Sequence, residues 1–257
     1  MRRSLRPATL RTRMLVLINL DSAIERRAAM SRQLQRLGLD FHRVGVDLRA
    51  VRAGDAPARI AALFPQYSFD RERLSMAEIG CWLSHLSAWR ALLASGESSC
   101  TVIEDDLRLL PDFARAHAAL AQRDDFDVVY LGTSSRNVSQ RRRRDVNGLW
   151  VHEPVGVIFN TWGYNLRREY AQRFFDAGPR LLGLPIDHYL GGKARAARPR
   201  IGVVQPTVLV EDPVLGPASQ IAPYTRRLDR WKPVEVLRRR LLASPVSDAY
   251  YALYRYF

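Results

Sequence analysis

The chain has 257 residues, 47% of them hydrophobic and 26% charged. A chain of this length buries roughly three quarters of its unfolded surface, and no segment approaches the ~18 uninterrupted apolar residues of a membrane-spanning helix. Intrinsic disorder, collagen-like repeats and a spanning helix are therefore excluded. The 40 basic and 26 acidic residues give a net charge of +14, with Lys193 and Lys232 the only lysines. Cys81 and Cys100, each in an apolar stretch, cannot build a disulfide framework and fit a reducing, cytoplasmic setting.

Met14 to Leu20 is a short β-rich run, cut short by Asn19 and Asp21 and followed by no small-residue cleavage site, so no signal peptide is expected. Ser22 and Glu25 form a capping-box pattern ahead of a helix that stops at Gly38, and Phe41 to Val46 reads as a second strand. Residues 48 to 73 mix Gly, Pro and charge and predict a loop with short helices. Ser75 and Glu78 make a second capping box, before Ile79, Trp82, Leu83, Leu86, Trp89, Leu92 and Leu93 at helical spacing and a stop at Gly96. Thr101 to Ile103 predicts a buried strand that runs into Glu104, Asp105 and Asp106. Asp112 opens a further helix, and Asp127 to Leu131 is again β-rich. Later come a strand within Val155 to Leu166, a helix over Arg167 to Asp176 and a strand over Ile201 to Val210. Strands alternating with helices predict an α/β fold with a mostly parallel sheet. Neither a Gly-x-Gly-x-x-Gly nor a Walker loop occurs.

The positive charge is local. Residues 1 to 13 carry five arginines and no acid, and residues 221 to 257 carry eight basic and three acidic residues, so 14 to 220 contribute only +4. This divides the chain into a basic extension (1–13), a main domain (14–220) and a basic, aromatic tail (221–257). Arginines beside Tyr250, Tyr251, Tyr254, Tyr256 and Phe257 suit an interfacial contact with an anionic membrane, while docking of the tail on the domain is the plainer reading. Arg141 to Arg144 read as part of a long loop, poised over phosphates or simply solvated.

Chemistry concentrates at Glu104, Asp105 and Asp106. In an open parallel sheet, ligands bind beyond the carboxyl ends of the strands. Adjacent carboxylates there call for compensation by a divalent cation, Mn²⁺ or Mg²⁺, unless they merely cap a helix. Cys81 reads as packing rather than as a nucleophile, because no activating group is evident.

Four ordered segments, INLDSAIERR (18–27), AEIGCWLSH (77–85), TVIEDD (101–106) and TWGYNL (161–166), resemble the family 25 glycosyltransferases of lipopolysaccharide and lipooligosaccharide synthesis. With PIDHYL (185–190) and VVQPTV (203–208), the likeness spans residues 14 to about 212; Ala77 stands where the family usually has Gly. The resemblance implies a GT-A-like fold with a Rossmann-like, mostly parallel central sheet flanked by helices. It also implies inverting transfer of a sugar, commonly galactose, from a UDP-sugar to an oligosaccharide.

The same resemblance places Asn19, Asp21 and Arg26 at the nucleotide, Glu104 and Asp105 towards ribose and donor sugar, and Asp106 on the metal. Glu78, Ser84 and His85 would line the donor pocket, although His85 also reads as a core histidine and Arg26 as a surface charge. Asp187 is the candidate general base, with a helix-capping role as its alternative and Glu153 and Glu211 in reserve. Trp162 and Tyr164 either stack on a sugar or pack in the core. The expected acceptor is a lipid-linked oligosaccharide at the cytoplasmic face of an inner membrane, with no nucleic-acid partner. The alternatives are a non-catalytic basic nucleic-acid-binding protein and a UDP-binding family member without turnover.

Overall fold

A computed structural model of the chain describes residues 13–215, except 50, 53, 134–137, 155–157, 159, 192–198 and 213. The basic extension, but for Arg13, and the basic, aromatic tail lie outside the described residues. In chain order the elements are β1 (Met14–Ile18), α1 (Ile24–Arg36), β2 (His42–Val44), α2 (Ala56–Leu63), β3 (Ser68–Phe69), α3 (Met76–Ser95), β4 (Ser99–Glu104), β5 (Leu107–Leu109), α4 (Phe113–Leu120), β6 (Val128–Gly132), β7 (Val138–Val146), β8 (Leu149–Pro154), β9 (Gly163–Arg167), α5 (Arg168–Ala177), β10 (Leu181–Leu182), α6 (Ile186–Leu190), β11 (Ile201–Gln205) and β12 (Leu209–Glu211).

Eight strands form one sheet in the order β2-β1-β4-β9-β6-β11-β8-β7. β1 is parallel to β2 and β4, and β11 is parallel to β6. β9 lies antiparallel between β4 and β6, and β8 lies antiparallel between β11 and β7. Six strands therefore point one way and two the other, the predominantly one-directional α/β sheet that the alternating pattern predicts.

Strand side chains alternate between the sheet's faces, and so do the two cores. Val16, Val102, Tyr164 and Leu166 pack on one face with Trp82, Trp89 and Phe174 of α3 and α5. Leu15, Leu17 and Ile103 pack on the other with Met30, Leu34, Phe113 and Leu120 of α1 and α4. Burial on both sides explains why β1 and β4 read as unbroken apolar runs. The capping box of α3 forms in full: the Ser75 hydroxyl accepts from the Glu78 N–H at 3.2 Å, and Ser75 N–H donates to Glu78 Oε2 at 2.7 Å. Gly96, at φ +79°, ends the helix in the left-handed region that glycine adopts without strain.

Two expectations fail. Ser22 and Glu25 form no capping box, because α1 starts one residue later, behind Ala23; Asn19 Nδ2 donates to the Ala23 carbonyl instead. Arg141 to Arg144 lie in β7, an edge strand and not a loop. They are held by Arg142–Glu153 (3.2 Å), Arg144–Asp125 (2.7 Å) and Arg143 over the Trp150 ring (4.2 Å). No helix among the described residues is long and apolar enough to cross a membrane.

Candidate active site at the carboxyl end of the sheet

Strand register assembles the site. Parallel pairing sets Ile18 opposite Glu104, so the residues that follow the two strands, Asn19 and Asp105, meet where β1 and β4 end. Asn19 Nδ2 donates to Asp105 Oδ2 at 2.6 Å, a buried bond. From α1, Arg26 reaches Asp105 Oδ1 at 3.2 Å and Asp106 Oδ2 at 3.4 Å, and its other terminal nitrogen donates to the Leu215 carbonyl. On the far side of β4, Gly163 pairs with Ile103, which lays the preceding residues along Glu104. Glu104 N–H then donates to the Trp162 carbonyl, and the Thr161 hydroxyl donates to Glu104 Oε1 at 2.5 Å.

The three carboxylates are not equivalent. Burial pushes Glu104 up, but His85, the Thr161 hydroxyl and Arg26 outweigh it and hold the group below its ordinary value. Asp105 is raised by burial, which Asn19 and Arg26 offset only in part. Asp106 goes furthest: burial, then the charge of Glu104, with smaller pushes from Asp105 and Glu211, raise it to about 7 against the pull of Arg26. Its Oδ1 is buried and makes no hydrogen bond. A shielded carboxylate oxygen crowded by negative charge fits a divalent cation with oxygen ligands.

Helix α3 supplies the wall beside Glu104. His85, fully buried, has Nδ1 2.7 Å from the Tyr164 hydroxyl, which also accepts from Trp89 Nε1 at 3.0 Å. Its Nε2 faces Glu104 Oε1 at 3.6 Å. One turn earlier Cys81 joins them, and the Cys81, His85 and Glu104 ligand atoms all lie within 4.8 Å of one another. Burial, then the charges of Glu104, Asp187 and Glu78, push the Cys81 thiol well above its ordinary value.

Asp187 sits in α6 behind Pro185, so it is not the helix cap. Asn160 N–H donates to its Oδ2 at 3.3 Å, while its buried Oδ1 makes no hydrogen bond and has His188 Nε2 at 3.9 Å. A Cβ on Gly191 would fall 1.7 Å from the Ile158 carbonyl oxygen. Only glycine lets Ile158 pass so close to the end of α6, and Asn160, two residues further on, reaches Asp187. Neighbours Asn160 and Thr161 thus hold the two carboxylates of Asp187 and Glu104.

Other expected site residues are employed elsewhere. Ser84 donates to the Gly80 carbonyl and accepts from Val46 N–H, which fastens the loop after β2 to α3. Glu78 spends a carboxylate oxygen on the capping box. Asp21 is 87% exposed and pairs with Arg43. Tyr164 is a core residue, so its ring does not stack on a sugar; Trp162 packs against the α1/α4 core. Glu153 is paired with Arg142 away from this group, whereas Glu211 pairs in register with Leu107 and acts on Asp106.

The family described as "Glycosyltransferase family 25 (LPS biosynthesis protein)" matches residues 13–190, and this match includes nearly every residue named above. The chain belongs to glycosyltransferase family 25. Procollagen galactosyltransferase 1 of Danio rerio is 31% identical over 184 residues, covering 68% of this chain and 30% of its own length. Inactive glycosyltransferase 25 family member 3 of Mus musculus is 29% identical over 181 residues, covering 67% of this chain and 30% of its own. The chain spans about 30% of the length of these curated relatives. The solved structure of A197 from STIV matches 74% of this chain and 81% of that one at 16% identity and a TM-score of 0.39, too slight a likeness to carry an argument.

Against the glycosyltransferase family 25 segments, the residues that motif reading missed are Thr161 and Asn160, while Cys81, read as packing, stands beside His85 and Glu104. Thr161 opens the TWGYNL segment, and the strand that follows it pairs with β4. Cys81 and His85 stand four apart on one helix, the spacing that puts two side chains on one face.

Proposed function

We propose that this chain is an inverting, UDP-sugar-dependent hexosyltransferase, with galactose as the sugar and the saccharide of a lipopolysaccharide or lipooligosaccharide as acceptor. The observation that carries the reading is that two carboxylates tied to the carboxyl end of the sheet each keep a buried oxygen without a hydrogen bond. Asp106 Oδ1 stands at the end of β4, and Asp187 Oδ1 stands across the Asn160–Thr161 segment. Family membership supports transfer chemistry, the galactosyltransferase name of the Danio rerio relative supports galactose, and the family's description supports a lipopolysaccharide acceptor.

In this reading Asn19 and Arg26 fix Asp105 at the nucleotide end, where its remaining lone pairs accept ribose hydroxyls. Asp106 would hold Mn²⁺ or Mg²⁺, which when bound supplies positive charge to the departing diphosphate. Asp187 takes the proton of the acceptor hydroxyl as that oxygen bonds to the anomeric carbon and the bond to UDP breaks on the opposite face, inverting the centre. Contact of the basic tail with an anionic membrane at the cytoplasmic face would bring the enzyme to a lipid-linked acceptor.

The test is UDP release from UDP-galactose in the presence of Mn²⁺ and a lipooligosaccharide acceptor. Asp187→Asn is expected to lower kcat by about 10²- to 10⁴-fold with UDP affinity retained. An unchanged kcat overturns the base assignment. UDP binding without release by the wild type would place the chain with the relative named inactive.

A further inference from the structure

We infer that Cys81, His85 and Glu104 form a binding site for a soft divalent cation of the zinc class, distinct from Asp106. The three offer a sulfur, an imidazole nitrogen and a carboxylate oxygen, all within 4.8 Å of one another. Such a mixed set selects zinc or cobalt over magnesium and manganese, which favour oxygen alone. His85 Nε2 and Glu104 Oε1 are 3.6 Å apart. Two ligands each about 2.1 Å from a tetrahedral ion stand about 3.4 Å apart, so this edge already has the required span. The sulfur lies within 4.8 Å of both, roughly an ångström or less beyond the span that a tetrahedral zinc site requires.

His85 Nε2 is the second observation. It belongs to a fully buried ring, and the nearest polar atom recorded for it is Glu104 Oε1 at 3.6 Å, beyond hydrogen-bond length. An imidazole nitrogen left without a partner in a core is destabilising unless something binds it. The groups behind the ligands are those of a metal site: Tyr164 holds His85 Nδ1 at 2.7 Å, and Thr161 holds Glu104. Binding at Nε2 puts the ring proton on Nδ1, where the Tyr164 oxygen accepts it. Cys81 and Glu104 are both partly exposed, so the cluster lies at the edge of the core. Asp187 and Glu78 add negative charge around the sulfur.

The inference does not rest on the transferase reading, and its test needs no turnover. The 257-residue chain, reduced and stripped of metal, is titrated with Co²⁺. The expected result is a sulfur-to-cobalt charge-transfer band with the visible bands of a four-coordinate ion, bleached by Zn²⁺ and retained with excess Mn²⁺. Cys81→Ser abolishes the charge-transfer band, and Cys100→Ser keeps it. Tyr164→Phe keeps the band and weakens Zn²⁺ affinity about 10- to 100-fold. A wild-type titration without the band, or a band that survives Cys81→Ser, overturns the proposal whether or not any variant folds poorly.

Discussion

Asp106 makes the site sensitive to pH. Its carboxyl is raised to about 7 by burial and by Glu104, with an ordinary value of 3.8 in the unfolded chain. Between these values the folded state binds the extra proton, so the group's contribution to stability is present at low pH and is lost as pH rises through about 7. A cation at Asp106 competes with that proton. Affinity for Mn²⁺ should therefore climb with pH up to about 7 and level off above it, with proton uptake by buffer visible in calorimetry in two buffers of different ionisation heat. Affinity that ignores pH in this range would contradict the assignment. At this scale the Glu104–Asp106 triplet was legible, because adjacent carboxylates after a buried strand have few explanations. The roles of Ser84, Glu78 and Tyr164 were not, since one hydroxyl fastens a loop, one carboxylate caps its own helix and one ring holds a histidine from inside the core. Motif order does not distinguish a residue that faces a ligand from one that holds its neighbour.

Two identical-looking signals separate at the scale of elements. Ser75/Glu78 and Ser22/Glu25 share one spacing, yet only the first makes its reciprocal bonds. The second does not form because α1 begins behind Ala23, whose carbonyl accepts from the Asn19 side chain. Ser75→Ala should therefore cost about 1 kcal/mol in urea unfolding, and Ser22→Ala nothing measurable. Equal costs would show that the distinction is not energetic. The arginine run escaped reading as a strand for a related reason. β7 is an exposed edge, where charge keeps other strands from pairing, so the alternation that marks a half-buried strand is absent.

For the molecule as a whole, hydrophobic runs at β1, β4 and β6 announced the one-directional sheet, because strands buried on both faces leave little room for polar residues. What they did not announce is β9, which runs antiparallel between β4 and β6. That insertion is what lays Thr161 along Glu104 and, through Asn160, ties Asp187 to the carboxyl end of the sheet. The net charge of +14 is the other global feature, and a nucleic-acid-binding protein would use it while leaving the carboxylates idle. Calorimetric titration with UDP, with and without Mn²⁺, on the wild type and on Asp106→Asn separates these accounts. Binding that requires Mn²⁺ and disappears in Asp106→Asn is the predicted result; no UDP binding under any condition, or binding that Asp106→Asn leaves unchanged, would contradict it.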